Sequence, residues 1–495
     1  MRLVHSLWLS AILILIAGCA SYPINPSIDQ VNESKGYRFA NLALGEKNTD
    51  ELFVVVSLSG GGTRAMALDY GVLSYLDTLH IDNGRRTLLD EVDIISSSSA
   101  ASIVNAYYGL YGKDAFLTRF RNDVLSKNME RALKRRVLNP LQWPRLWSGT
   151  FSRGDLAAEY FDKEIFDGHT FSDMQAARPM VIVNATDMGI GSQFPFVQGK
   201  FDALCSDLSR FSVARAVAAS LAFTPGFTPI TLKNYDKTLC GYTTPDWVQA
   251  ALEAGVESNA LVYAQARDFV SYEHTERRPY IHLLDSGIAD NIGIRIPGLV
   301  FAVRDTPWSQ ADRLLDGTIR RLVVIIVDAR PKRDFKGDLK PKPPGAATSV
   351  RVAATSPLAN YSYETVDLVR KSMKNLAKDT ESYDKKRAAC TSHAANICAQ
   401  RSNRNKCRRE VTGSCFQAFR VTDADRPPNL DLYMVHVSFE SVDDGSRRRR
   451  LQTIPTTLQL PKEDVDLLIE SAPELVNQAP DFQRLMRDLA ARVVH

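Results

Sequence analysis

The 495-residue chain contains no Cys-x-x-Cys pair, although it carries seven cysteines. Structural zinc sites take Cys or His at tight paired spacings, so the cysteines do not point to zinc. Histidine is scarce, at eight residues. None stands beside an acidic motif in the manner of a Ser-His-Asp triad, and His282, three residues before Asp285, faces the opposite side of any strand they share. An excess of one charge is also missing: 61 Lys and Arg against 57 Asp and Glu give a net charge of +4, which argues against a dedicated nucleic-acid binder. No Gly-Lys-Ser or Gly-Lys-Thr follows a glycine loop, which excludes a Walker loop. There is no internal repeat. The apolar run Leu7–Ile16 is too short to cross a bilayer as a helix, which takes roughly 20 residues.

What is present begins at that run. A basic start, a short apolar stretch and the small residues Ala17 and Gly18 make a secretory signal. Ile16-Ala17-Gly18-Cys19 resembles the lipobox of bacterial lipoproteins, which implies acylation of Cys19 as the first residue of the mature chain. Ala20 in second place, rather than Asp, implies the outer membrane, facing the periplasm. Once Cys19 is set aside, six cysteines remain, an even number that suits disulfides in an exported chain. Clustering favours Cys205 with Cys240, and two bridges among Cys390, Cys398, Cys407 and Cys415, out of 15 possible connectivities. At 44% hydrophobic and 24% charged, the composition is globular. The runs Lys134-Arg135-Arg136 and Arg447-Arg448-Arg449-Arg450 either rest on anionic headgroups or form solvated faces.

Residues 19–50 carry Pro23, Pro26 and polar residues with little periodicity and read as a tether. Leu52 to Leu58 is a continuous apolar run, the pattern of a strand buried on both faces of a parallel sheet. Glycines follow, then Leu68, Val72, Leu73, Leu76 and Leu79 at helical spacing. Further strands are expected at Val92–Ile95, Met180–Asn184, Tyr280–Leu284 and Leu322–Val327, separated by helical stretches. The fold expected is therefore α/β, with a mostly parallel sheet and helices on both faces, over residues 51–330. Residues 331–425 read as a linker and a helix-rich, cysteine-containing insertion. Residues 426–495 supply a strand near Leu432–Phe439 and two amphipathic helices.

Three motifs carry chemistry. Gly60-Gly61-Gly62, between a strand and a helix, exposes backbone amides at a helix N-terminus, which suits either a phosphate or the oxyanion of an acyl intermediate. The phosphate reading is weakened because Ala65 stands where a dinucleotide loop has its last glycine. Ser96 to Ser99 follows a strand and precedes a helix, as a nucleophile elbow does, but Ser97 and Ala101 replace the two outer glycines. A polar helix cap is the rival reading, and four serines leave the register open. Asp285, at the end of a strand expected to be parallel, points either into the crevice that holds sites in such sheets or into an ordinary Asx turn.

Together these elements resemble the patatin-like phospholipases. Ser59-Gly60-Gly61-Gly62-Thr63-Arg64 is similar to that family's oxyanion loop, and Asp93 to Ser102 to its nucleophile elbow, which implies Ser99 as the nucleophile. Asp285-Ser286-Gly287 resembles its Asp-Gly-Gly with one glycine replaced, followed by Asp290-Asn291-Ile292-Gly293. Ala218-Ala219-Ser220 with Pro225, Phe227 and Pro229 is similar to a further family segment. The resemblance covers roughly Leu52 to Val327 and implies the family's three-layer fold. It implies a Ser99–Asp285 dyad without histidine, an oxyanion hole from Gly60, Gly61, Gly62 and Arg64, an acyl-enzyme, and no metal or cofactor.

The activity expected is a serine-dependent lipolytic acyl hydrolase of phospholipase A or lipase type, acting on membrane lipid from its own lipid anchor. The alternatives are a non-lipid esterase or thioesterase, and a catalytically weak lipid-binding envelope lipoprotein.

Overall fold

A computed structural model describes residues 24–224, 226–303, 309–332, 341, 343, 345–423, 427 and 430–490. The signal run, Cys19 and Pro225 lie outside the described residues.

The fold is built on an eight-stranded, mostly parallel sheet flanked by helices. Inside it lies β1 (Leu52–Leu58), buried at every position, which is why the sequence there is apolar except for Ser57. A glycine turn leads from β1 into α1 (Gly62–Thr78). A serine turn leads from β2 (Val92–Ser97) into α2 (Ala101–Phe120). After α3 (Met129–Leu138) and α4 (Arg153–Phe161) come β3 (Met180–Asp187) and its hairpin partner β4 (Ser192–Pro195). Then follow α5 (Val213–Ser220), β5 (Ile230–Lys233), β6 (Tyr280–Leu284) and β7 (Arg321–Asp328). The chain ends with α6 (Ala346–Ile397), α7 (Arg404–Ala418), β8 (Asp431–Ser438), α8 (Lys462–Asn477) and α9 (Pro480–Ala490). The sheet order is β8-β7-β1-β2-β3-β6-β5, with β4 paired to β3 beside that path.

The five strands from β8 to β3 are parallel. β6 is not: it runs antiparallel to both β3 and β5, correcting the expectation of a parallel strand before Asp285. Its burial alternates, with Tyr280 and His282 exposed and Ile281 and Leu283 buried. That alternation marks an antiparallel strand covered on one face, whereas β1 and β7 are buried at every position. Leu284 nevertheless pairs with Thr186 near the carboxyl end of β3, so Asp285 emerges at the same edge of the sheet as the two turns.

Residues 24–50 do not hang free as a tether. Ile28 N–H donates to Cys205 O at 3.0 Å, Asn25 Nδ2 donates to Ser206 Oγ at 2.8 Å, and Tyr37 and Phe39 are buried in the main core. Burying two aromatic rings holds this stretch down more strongly than its polar composition suggests. At the other end of the chain, β8 extends the sheet and α8 packs along α1. Gly71 makes that approach possible: a Cβ there would stand 2.8 Å from Ile469 O.

The helical region with disulfides after the domain is α6 and α7. At 52 residues, α6 is about 78 Å long. Its first half lies on the body, where Arg295 donates to Thr365 Oγ1 and Val366 joins the main core. Its second half pairs with α7 through Cys390–Cys415 and Cys398–Cys407 around a small core of Tyr383, Cys390 and Val421. Cys205 is bonded to Cys240. All three bridges agree with the clustering in the sequence. Among the described residues, no helix is long and apolar enough to cross a membrane.

Candidate active site

The two turns leave the carboxyl ends of adjacent parallel strands, with Leu58 paired to Ser97. A buried salt bridge at the base of β2 fixes their relative height. Asp93 accepts from Val54 N at 2.8 Å and from Arg178 at 2.9 Å, beside the register shift between Val54 and Val55. Burial nevertheless pushes the Asp93 carboxyl up to about 7.

Each serine of the run has its own partners, and one of the four meets Asp285. Ser96 Oγ accepts from Asn184 Nδ2 at 2.9 Å, and Ser97 Oγ accepts from Asn105 Nδ2 at 2.9 Å. Ser98 Oγ is bonded to Ser286 Oγ at 2.8 Å. Only Ser99, partly exposed, directs its hydroxyl to Asp285, donating to Oδ2 at 2.7 Å. Ser99 has φ 52°, a left-handed conformation that costs a non-glycine residue roughly 1–3 kcal/mol. Such strain is typical of a turn that lifts one side chain clear of strand and helix.

Asp285 is buried, and its two oxygens divide their work: Oδ2 faces Ser99 and Oδ1 accepts from Gly287 N at 2.8 Å. Burial pushes the carboxyl up to about 6, against the opposing pull of those two hydrogen bonds. Its backbone is held by Ala222 O, which accepts from Asp285 N, and by Thr186 Oγ1, which donates to Asp285 O at 2.8 Å. Asp285 is thus an anchored carboxylate within reach of a hydroxyl, with the affinity for a proton that a base needs.

The glycine loop sits against the same point. A Cβ on Gly60 would stand 3.0 Å from Ser99 Cβ and 2.5 Å from Asn291 Oδ1. The three glycines are not equivalent, however. Gly60 N–H already donates to Asn291 O at 3.0 Å, which removes it from the expected anion-binding set. Among the described residues the amides of Gly61 and Gly62 have no partner, while Thr63 N–H donates to Thr457 O at 2.7 Å.

Arg64 is a second correction. Its side chain is buried, with Nε donating to Ala329 O at 2.8 Å and Nη1 to Ile454 O at 2.7 Å. The guanidinium, lowered by burial to about 10 with Asp328 pulling the other way, ties the loop to the end of β7 and to the segment before Thr457. Arg64 braces the loop from behind, and its contacts lie away from Ser99.

Three contributors were not assigned roles from the sequence. Ser286 Oγ accepts from Ser99 N–H at 2.7 Å and also meets Ser98 Oγ and Ser220 Oγ, the latter at 3.2 Å. Asn291 supplies the carbonyl that occupies Gly60. Thr457 covers the helix start from a distance of nearly 400 positions along the chain. Ser286 and Asn291 fall inside quoted motifs; at Ser286 a polar residue replacing glycine was the available signal. Thr457 lies in an irregular loop with none.

A strand-turn-helix serine, a carboxylate partner and bare loop amides at one edge of a parallel sheet define an α/β protein of the acyl-hydrolase type. Residues 56–297 match the model of the patatin family, described as patatin-like phospholipase. A domain of this kind supports a lipid acyl hydrolase in general terms. No curated protein matches the chain.

Proposed function

We propose that the protein cleaves lipid acyl esters with a Ser99–Asp285 dyad. The observation that carries this reading is the 2.7 Å hydrogen bond from Ser99 Oγ to Asp285 Oδ2, beside two unpaired loop amides. Ser99 Oγ attacks the ester carbonyl carbon as its proton passes to Asp285. The oxyanion is held by the N–H groups of Gly61 and Gly62, each such donor being worth roughly 100- to 1,000-fold in rate. The C–O bond to the alcohol breaks, and Asp285 returns the proton to the departing oxygen. That leaves an acyl group on Ser99. A water, giving its proton to Asp285, attacks this ester, and collapse of the second intermediate releases the fatty acid and restores the Ser99 hydroxyl.

The family match supports lipid esters as substrate, and the lipobox-like run at Cys19 supports a chain anchored in the outer membrane and facing the periplasm, close to that substrate. A fluorophosphonate probe tests the nucleophile: the wild type is labelled and Ser99→Ala is not. Equal labelling of the two removes Ser99 from the mechanism, and no labelling of either favours a lipid-binding protein of little activity. Hydrolysis across acyl chain lengths tests the substrate. An enzyme active on acetate esters and inert on long-chain phospholipid is an esterase of another kind.

A further inference from the structure

Two of the four arginines in the run Arg447–Arg450 are paired where they stand, Arg447 with Glu474 and Arg450 with Asp464. The run on α3 is set apart by the exposed apolar residues that follow it. α3 buries Met129 and Leu133 and turns Arg131, Lys134, Arg135 and Leu138 outward. Lys134 is bonded to Glu130 at 2.5 Å, and Arg136 lies 3.8 Å from Glu164. Arg131 and Arg135, both exposed, have no acidic partner among the described residues.

Beyond α3 the chain forms a knuckle in which large apolar side chains face solvent. Leu138 is 71% exposed, Leu141 83% and Trp147 77%, and Trp143 is 40% exposed. Scattered single apolar residues on a surface are ordinary, but four within ten positions are a patch. The knuckle is also ordered. Trp143 Nε1 donates to Val137 O at 3.2 Å, Trp147 N donates to Trp143 O at 2.9 Å, and the two indole rings lie 5.8 Å apart. Arg145 pairs with Glu159 and stacks 3.8 Å over Phe151, closing the base of the knuckle onto α4. A few residues on, Gly154 N donates to Thr228 Oγ1 in the loop after α5, the loop whose Ala222 O holds Asp285 N.

We infer that the Leu138–Trp147 knuckle and the outward face of α3 dock the protein onto an anionic bilayer surface. Tryptophan and leucine beside unpaired arginine are the side chains that enter a bilayer interface together: the rings and leucines settle at the headgroup boundary while the guanidinium groups meet lipid phosphate. Basic residues near such a surface are drawn to it, and salt screens that attraction. A protein partner would also cover the apolar residues, but it leaves Arg131 and Arg135 needing acidic counterparts that a phospholipid surface supplies everywhere. The inference extends the lipid-hydrolase reading by naming the surface from which substrate is taken.

The test is made on the full chain carrying Ser99→Ala, so that its outcome does not depend on catalysis. Vesicles of phosphatidylglycerol and phosphatidylcholine with brominated acyl chains quench indole emission by contact. The parent is expected to lose at least twice as much emission as the same chain with Trp147→Phe. Arg131→Glu with Arg135→Glu, both on an exposed helix face, should halve that difference at low salt and leave it unchanged at high salt. Identical quenching of parent and Trp147→Phe overturns the inference, as does quenching indifferent to the two glutamates. A knuckle that serves a second copy of the chain gives Trp147 unquenched by lipid and a sedimentation coefficient lowered by Leu141→Gln with Trp147→Gln; that result overturns it too.

Discussion

The glycine turn after β1 and the serine turn after β2 sit side by side on paired strands and reach the same point by opposite means. The first works through backbone: Gly61 and Gly62 offer amides, and neighbours approach Gly60 and Gly62 so closely that a Cβ is excluded at both. The second works through side chains. It already carries a Cβ at Ser97, Ser98 and Ala101, and a ring of hydroxyls from Ser98, Ser220 and Ser286 supports the strained Ser99. An anion can be held by backbone alone, because amides are present at every residue and only need uncovering. A nucleophile cannot, so its turn must tolerate side chains and tie them down. If this comparison is right, the glycine turn should be intolerant of added atoms and the serine turn intolerant of lost hydroxyls.

The largest effect is expected where the serine turn acts directly. Ser99→Ala should lower kcat on long-chain esters by about 10,000-fold or more, as removal of a nucleophile does. Asp285→Asn should come close to it, because an amide cannot accept the serine proton. Its thermal midpoint at pH 8 should be no lower than that of the wild type, since a buried charge has been removed with it. Activity in Ser99→Ala within tenfold of the wild type would mean that another serine of the run is the nucleophile.

Next is the glycine turn. Gly62 has φ +65°, and a Cβ there would stand 2.4 Å from Thr457 O. Gly62→Ala should therefore displace the loop and lower kcat by roughly 100- to 1,000-fold, the cost of a lost oxyanion donor. KM should change far less. Ala at Gly84, which also has positive φ but no heavy atom within 4 Å, is the control for strain without crowding. It should cost about 1 kcal/mol of stability and no activity.

These two turns also show how far the sequence could be read. The glycine loop was legible as a place for an anion because bare amides need no partner to be recognised. Its internal division was not: Gly60 is occupied by Asn291 and Arg64 by Ala329 and Ile454, and these partners lie more than 200 positions away. The strands were legible wherever burial on both faces imposed a continuous apolar run. β6 was placed correctly but given the wrong direction, since five residues with a polar alternate position do not fix orientation. Residues 24–50 were misread because their contacts are made by isolated aromatics and single hydrogen bonds, which leave no periodic trace.

A pH profile sharpens the comparison, because only the serine turn has a titrating partner. The Asp285 carboxyl, pushed up to about 6 by burial, must be ionised to accept a proton. Activity should rise with pH through about 6, standing at roughly a tenth of its plateau at pH 5. The stability contribution has the opposite sign. A carboxyl raised above its unfolded value favours the fold fully below that value, near 4, and loses its advantage as pH rises through about 6. Roughly 3 kcal/mol is at stake. Equilibrium unfolding from pH 4 to 8 should show a decline smaller by this amount in Asp285→Asn, because other buried carboxyls such as Asp93 are raised too and remain in both proteins, whereas an identical decline in the two, with activity flat from pH 5 to 8, would remove Asp285 as the base.

The smallest effect, and the one most specific to this chain, is at Ser286. Its hydroxyl accepts the Ser99 N–H and is shared with Ser98 and Ser220, all buried. Ser286→Ala leaves that N–H and two hydroxyls to find other partners, at about 1–3 kcal/mol for a buried donor left unsatisfied. It touches neither Asp285 oxygen nor the loop amides, so the dyad survives with a looser support. We expect kcat to fall about 5-fold, KM to stay within 2-fold, and the pH profile to keep its midpoint. Ser286→Thr, which retains the hydroxyl, should recover most of the rate if the added methyl is accommodated. A loss of stability in Ser286→Ala without any change in kcat would mean that the hydroxyl ring holds the fold together and does not position Ser99. The serine turn would then owe its geometry to strand and helix packing alone.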